Sequence, residues 1–189
     1  MTDSRDPAAD RRGTDHHGHD VIDPLQVAVL TVSSSRASET DADDPGGDRI
    51  EALLEDHGHR TVERELVPDD YADIRNAVRA YTLDPTIDVV VTTGGTGVTP
   101  DDVSIDAVAG LFEVELPGFG ELFRHLSYEE VGTRVVATRA AAGIVGGTVV
   151  FCLPGSVNAV TLATEEIIVE EAPHLAGQAT RHRTAGESP

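Results

Sequence analysis

Between residues 26 and 93 the chain alternates unbroken apolar runs with stretches in which apolar residues recur every three or four positions. QVAVLTV (26–32) and IDVVVTT (87–93) are unbroken runs, the pattern of strands buried on both faces, and TVERELV (61–67) predicts a further strand. Ile50, Leu53, Leu54 and His57 fall on one helical face, as do Ile74, Ala77, Val78 and Tyr81. The resulting order, β-α-β-α-β, predicts a three-layer α/β fold with a mostly parallel sheet and helices on both faces. Ligands of such sheets collect beyond the carboxyl ends of the strands, which singles out the loops at 33–47, 68–70 and 94–102.

In the second half a short helix begins at Ser104, and a PGFGE turn feeds a helix carrying Leu122 and Leu126. A last helix, opened by Ser156, aligns Val157, Val160, Thr164 and Ile167. Ala140 to Thr164 holds no charged residue and is long enough to span a bilayer. Gly143, Gly146, Gly147, Pro154 and Gly155 would break a spanning helix, and AAGIV-GG-TVVFCL predicts a small buried β-hairpin instead. One α/β domain over 24–180 follows. Residues 1–23, acidic and His-containing, predict a disordered extension, and 181–189 a disordered tail. His16, His17 and His19 in HHGH suit a transition metal, but a tail without further ligands gives them no built site.

Charge narrows the functional classes. The 189 residues include 34 acids and 14 basic residues, a net of −20, which excludes nucleic-acid binding by general basicity. Every basic residue is Arg, so a Walker-type loop, a Lys Schiff base and a polybasic membrane anchor are excluded together. Residues 24–180 hold nine Arg against 27 acids, so the acidity belongs to the folded body. A halophilic protein is the expectation, because such a surface repels itself unless salt shortens the Debye length, to roughly 3 Å near 1 M. The single Cys152 allows neither an intrachain disulfide nor a multi-Cys metal site, and MTDSRDPAADRRGTDHHGHD lacks the apolar stretch of a secretory signal. A cytoplasmic location is expected.

The candidate chemistry lies at the strand ends. In TTGGTGVTPDD (92–102), Gly94, Gly95 and Gly97 would let backbone N–H groups approach an anion, with Thr96 among them; a ligand-free turn is the alternative. Asp69 and Asp70 end the second strand, and Asp101 and Asp102 follow the third. A carboxylate about 4 Å from a phosphate oxygen is opposed by roughly 4 kcal/mol at an effective dielectric of 20. A divalent cation between them removes the conflict, and magnesium commonly joins one or two carboxylates to substrate phosphates. Helix capping is the competing explanation for Asp70 and Asp102. LPGFGELFRHLS places Gly118 and Glu121 at a helix start, Ser156 stands at another helix N-terminus, and Arg139 offers a fork of donors to an anion or a surface carboxylate.

In this order, LTVSSSR, DDPGGD, LVPDD, TTGGTG followed by Asp102, LPGFGE, ATRAAAG and LPGS resemble the molybdopterin adenylyltransferase family, the MoaB/Mog group of molybdenum-cofactor biosynthesis proteins, over residues 25 to 180. The resemblance implies a homotrimer or homohexamer that joins the terminal phosphate of molybdopterin to AMP from ATP, with magnesium as cation and pyrophosphate as product. A molybdenum insertase is an implied partner; nucleic acid and membrane are not. By position Asp69 and Asp102 match the family's catalytic, metal-holding aspartates. Gly94, Gly95, Thr96 and Gly97 match its phosphate loop, Gly118 and Glu121 its nucleotide side, and Thr138, Arg139 and Ser156 its pterin side, with Ser33 on the rim. This chain has Asp101 where the family often has a basic residue, Thr138 for Ser, and Val157 and Asn158 where Pro-Lys is common. Those departures leave a molybdopterin carrier without adenylyl transfer as the alternative.

Overall fold

The structure, a computed structural model, describes residues 8–39 and 43–181. A 3-10 turn, Ala9–Arg11, leads into a hairpin of β1 (Arg12–Thr14) and β2 (Asp20–Ile22). Then follow β3 (Gln26–Val32), α1 (Ser34–Ala37), α2 (Pro45–Asp56), β4 (Arg60–Val67), α3 (Tyr71–Leu83) and β5 (Val89–Thr93). The rest of the chain forms α4 (Ser104–Ala109), β6 (Val114–Glu115), α5 (Pro117–Val131), a 3-10 segment (Gly132–Ala137), β7 (Ala141–Val145), β8 (Thr148–Leu153) and α6 (Val157–Ala163). A π-helical turn (Thr164–Ile168) joins α6 to α7 (Val169–Ala179).

The six-stranded sheet has the order β4-β3-β5-β8-β7-β6. β4, β3, β5 and β8 are parallel, while β7 is antiparallel to β8 and joined to it by a Gly146-Gly147 turn, as the sequence pattern predicts. Alternation along the central strands divides the core into two layers. Val27, Val29, Val89, Val91, Val149 and Phe151 face α2, α5, α6 and α7; Ala28, Leu30, Val90, Val150 and Cys152 face α3 and α4. With few aromatics, β-branched strand residues fill the space, each buried Val contributing roughly 1.5–3 kcal/mol. Burial pushes the Cys152 thiol up to about 11, so it remains a small hydrophobe. Among the described residues no helix is long and apolar enough to cross a membrane.

The N-terminal expectation is corrected within the described residues. Residues 12–22 form a hairpin, and β2 lies so close to α7 that a Cβ on Gly177 would stand 2.2 Å from the Asp20 carbonyl oxygen. Arg11 pairs with the buried Asp88, Arg12 donates to Thr180 Oγ1 at 2.8 Å, and Ile22 and Leu25 enter the core. The hairpin is ordered by docking rather than by periodicity of its own, which is why its polar sequence reads as unstructured. Residues 1–7 and 182–189, also expected to be disordered, lie outside the described residues.

Candidate functional site

β5 and β8 end side by side, and the loops that leave them pack backbone to backbone. Gly94 N donates to the Leu153 carbonyl at 3.0 Å, Thr93 Oγ1 donates to the Pro154 carbonyl at 3.1 Å, and a Cβ on Gly155 would lie 3.2 Å from Gly94 Cα. Gly94 has φ +105°, and a Cβ there would meet the Val32 carbonyl oxygen at 2.2 Å, so only glycine fits. The fully buried Ser104 pins this loop from below: its Oγ donates to the Gly94 carbonyl at 2.8 Å and its N to the Gly95 carbonyl at 3.0 Å. A cleft of about 320 Å³ opens above, lined by Gly94–Gly97, Asp102, Arg134, Thr138 and Pro154–Gly155.

The two expected aspartates flank this one loop. Asp69 is locked to the loop after β3, its Oδ2 accepting from Ser34 N at 2.7 Å while its own N donates to Ser34 Oγ at 2.9 Å. Its Oδ1 stands 3.3 Å from where a Cβ on Gly95 would be. Asp102 lines the cleft, with an oxygen 2.7 Å from the Cβ position of Gly97. Thr99 donates to Asp102 Oδ2 through its hydroxyl at 2.6 Å and its amide at 2.8 Å. The Thr99 hydroxyl, supported by the Thr99 and Gly97 amides and the Arg139 charge, outweighs partial desolvation and holds the Asp102 carboxyl below its ordinary value. It is therefore ionised at neutral pH.

Capping divides these acids unequally. Asp70 Oδ1 accepts from Ala72 N at 2.8 Å and Asp73 N at 3.0 Å, making it the cap of α3. Asp102 caps nothing: α4 begins after Val103 without a side-chain cap. Among the described residues no third His, Cys or acid joins Asp69 and Asp102 as a metal-ligand trio. A magnesium ion held there would take its other ligands from phosphate and water, as that ion commonly does.

The remaining expected residues take different places. Arg139 spends its fork inside the protein, donating from Nε to the Gly97 carbonyl at 2.8 Å, from one terminal nitrogen to the Asp102 carbonyl, and from the other to Asp106 at 3.0 Å. It braces the loop instead of facing the cleft. Thr96 and Thr138 line the cleft, and Ser156 stands beside it as the N-cap of α6, accepting from Ala159 N at 3.2 Å. Ser33 faces Ser35 at the start of α1, at 3.2 Å between hydroxyls. Gly118 and Glu121 are exposed on the first turns of α5 and do not line the cleft.

Sequence reasoning missed four residues. Ser34 is indistinguishable from its serine neighbours until Asp69 is placed beside it. Ser104, expected only to start a helix, is the strut under the glycines. Arg134 is the cation that lines the cleft, and it carried no motif. Asp44 could have been found, since Asp before Pro-Gly-Gly is a helix-start signature. It caps α2 through Gly47 N at 3.1 Å, accepts from Thr31 Oγ1 at 2.7 Å and pairs with Arg64 at 2.9 Å, fixing the loop after β3.

A family described as a probable molybdopterin binding domain matches residues 28–174. Molybdenum cofactor biosynthesis protein B of Staphylococcus epidermidis is 45% identical over 156 residues, covering 80% of this chain and 87% of the relative. The protein of the same name from Bacillus subtilis is 40% identical over 160 residues, covering 84% and 92%. The crystal structure of the tungsten cofactor synthesizing protein MoaB from Pyrococcus furiosus superposes with a TM-score of 0.75 at 42% identity, covering 83% of this chain and 98% of that one.

Proposed function

The chain belongs to the molybdopterin-binding family that its residues 28–174 match, and from that premise we propose that it works in molybdenum cofactor biosynthesis by adenylylating molybdopterin. In this reaction an oxygen of the pterin's terminal phosphate attacks the α-phosphorus of ATP. A new P–O bond forms as the bond to the β-phosphate oxygen breaks, and pyrophosphate leaves. No protein nucleophile is needed. The observation that carries the reading is the closure of Asp69 and Asp102 onto Gly95 and Gly97 of a single loop that lines the cleft. Two acidic side chains beside a phosphate cradle are self-defeating unless they hold a dication.

Magnesium, when bound by Asp69 and Asp102, would withdraw charge from the reacting phosphates. The rest belongs to the chain's own groups. Backbone N–H groups of Gly95 and Thr96 offer donors to phosphate oxygens, those of Gly94 and Gly97 being taken by the Leu153 carbonyl and Asp102, and Arg134 adds a positive charge to the cleft lining. Ser104 and Arg139 hold those donors in place before substrate arrives. Exposed Leu122, Tyr128 and Val131 along α5, with Val136 just beyond, support self-association into the expected trimer or hexamer.

The test is single-turnover reaction of the protein with molybdopterin, ATP and magnesium at high salt. We expect adenylylated pterin and pyrophosphate from the wild type and at least 100-fold slower formation from Asp102→Asn, with the fold retained. Pterin binding with no adenylylation by the wild type would instead make it a carrier, the reading favoured by Asp101, Val157 and Asn158 standing where the family often has basic or Pro-Lys residues.

A further inference from the structure

The DHHGH segment at 15–19 closes the β1–β2 hairpin against α7, and it brings two imidazoles and a carboxylate together. Asp15 N donates to the His19 carbonyl at 2.9 Å, and Asp15 Oδ1 accepts from His17 N at 2.8 Å and His19 N at 2.9 Å. Those bonds fix Oδ1 and turn Oδ2 toward two rings. It lies 3.7 Å from His19 Nδ1 and 3.9 Å from Nδ1 of His174 on α7. His174 Nδ1 is buried and has no hydrogen-bond partner. A buried ring nitrogen without a partner, facing a carboxylate at more than hydrogen-bond distance, needs a reason.

We propose that Asp15, His19 and His174 form a site for a divalent transition ion of the zinc type, which clips the N-terminal hairpin to α7. Two imidazoles and one carboxylate suit zinc or cobalt; magnesium and calcium prefer an all-oxygen shell. The three ligand atoms lie within 4.8 Å of one another. Ligands about 2.0–2.1 Å from a tetrahedral ion stand roughly 3.3 Å apart, so the carboxylate and each ring must close by about half an ångström and the two rings on each other by up to about 1.5 Å. His19, with its side chain 55% exposed, has room to do so. Water completes the coordination.

The surroundings fit a ligating His174. Its Nε2 lies 2.9 Å from the Gln178 side-chain amide nitrogen. With the amide turned over, Gln178 Oε1 accepts from Nε2–H, the tautomer that leaves the Nδ1 lone pair free for a metal. The site joins residues 15 and 19 to residue 174, so the ion would bridge the two ends of the described chain.

The experiment uses the full-length, tag-free protein stripped with a chelator and titrated with cobalt, then zinc. One equivalent of cobalt should bind with the visible absorption of a four-coordinate site, and zinc should displace it while a large excess of magnesium does not. His19→Gln and Asp15→Asn should each weaken cobalt binding at least tenfold, whereas His57→Gln, at the end of α2, should not. Zinc at 100 times its dissociation constant should lower the wild-type unfolding equilibrium constant about 100-fold, and that of the two cluster variants much less. His19→Gln alters an exposed loop, so circular dichroism can verify its fold. Absence of stoichiometric cobalt binding, or unchanged binding in both His19→Gln and Asp15→Asn, would overturn the proposal.

Discussion

Arg139→Lys separates bracing of the glycine loop from direct recognition of phosphate. The arginine makes two hydrogen bonds to carbonyls, of Gly97 and Asp102, and a third to the carboxylate of Asp106. Hydrogen bonds from a charged donor contribute roughly 1.5–3 kcal/mol each, and these lie toward the lower end because water can reach the half-exposed loop. The Asp106 pair adds about 0–1 kcal/mol, as that carboxylate is 60% exposed. Lysine retains the charge and one of the bonds, so the net loss is about 2 kcal/mol of loop stability, or roughly 30-fold in its opening constant. The amides of Thr99 and Asp102 report that opening, since they bond to Asp102 Oδ2 and to the Thr99 carbonyl. Native-state hydrogen exchange over 94–103 should therefore quicken about 30-fold in the variant while the sheet amides stay protected. Unchanged exchange together with weaker ATP binding would refute the bracing role and return Arg139 to the substrate.

Three further outcomes are expected. Gly94→Ala combines a left-handed backbone with a Cβ 2.2 Å from the Val32 carbonyl oxygen, and should cost roughly 2–5 kcal/mol in urea unfolding; a loss below 1 kcal/mol would mean that the loop yields easily. His59 accepts from Leu25 N at 3.3 Å, and burial, outweighing the pull of Asp23, holds its pKa below the ordinary 6.5. The unfolded chain then binds the extra proton first, so stability falls as pH drops through 6.5, by at most about 1.4 kcal/mol per pH unit. The stability gap between wild type and His59→Gln should narrow from pH 7.5 to 5.5, and a constant gap would contradict this. Given the net charge of −20, we propose that melting temperature climbs steeply between 0.1 and about 2 M KCl; a flat response would argue against salt adaptation.

The layers of the fold were readable because burial repeats along the chain. Val27, Val29, Ala28 and Leu30 alternate between two cores, and Ile74, Ala77, Val78 and Tyr81 are the buried residues predicted for α3. The site was readable where one residue type has one use, as at Gly94, whose positive φ and contact with Val32 admit no side chain. Asp69 and Asp102 were readable as candidates, but the division of labour between Asp69 and Asp70 depends on Ser34, 35 residues away, meeting the first of them. The β1–β2 hairpin was not readable, because its order comes from contacts with Asp88 and α7 far along the chain.

How the cations are distributed shows why this cleft needs help from outside the chain. Arg64 is engaged by Asp44, Asp48 and Glu51, Arg11 by Asp88, and Arg139 by two carbonyls and Asp106. Each settles an internal conflict, leaving Arg134 as the basic side chain that lines the cleft alongside Asp102. One guanidinium and a set of backbone N–H groups face an ionised acid lining the cleft, a second acid at Gly95 and, in the proposed reaction, two phosphate-bearing substrates. At an effective dielectric of 20, each carboxylate–phosphate contact near 4 Å opposes binding by about 4 kcal/mol, more than the single arginine can offset for both acids. Binding of the two substrates should therefore depend on a dication far more strongly than on monovalent salt, the opposite of what an arginine-lined pocket would show.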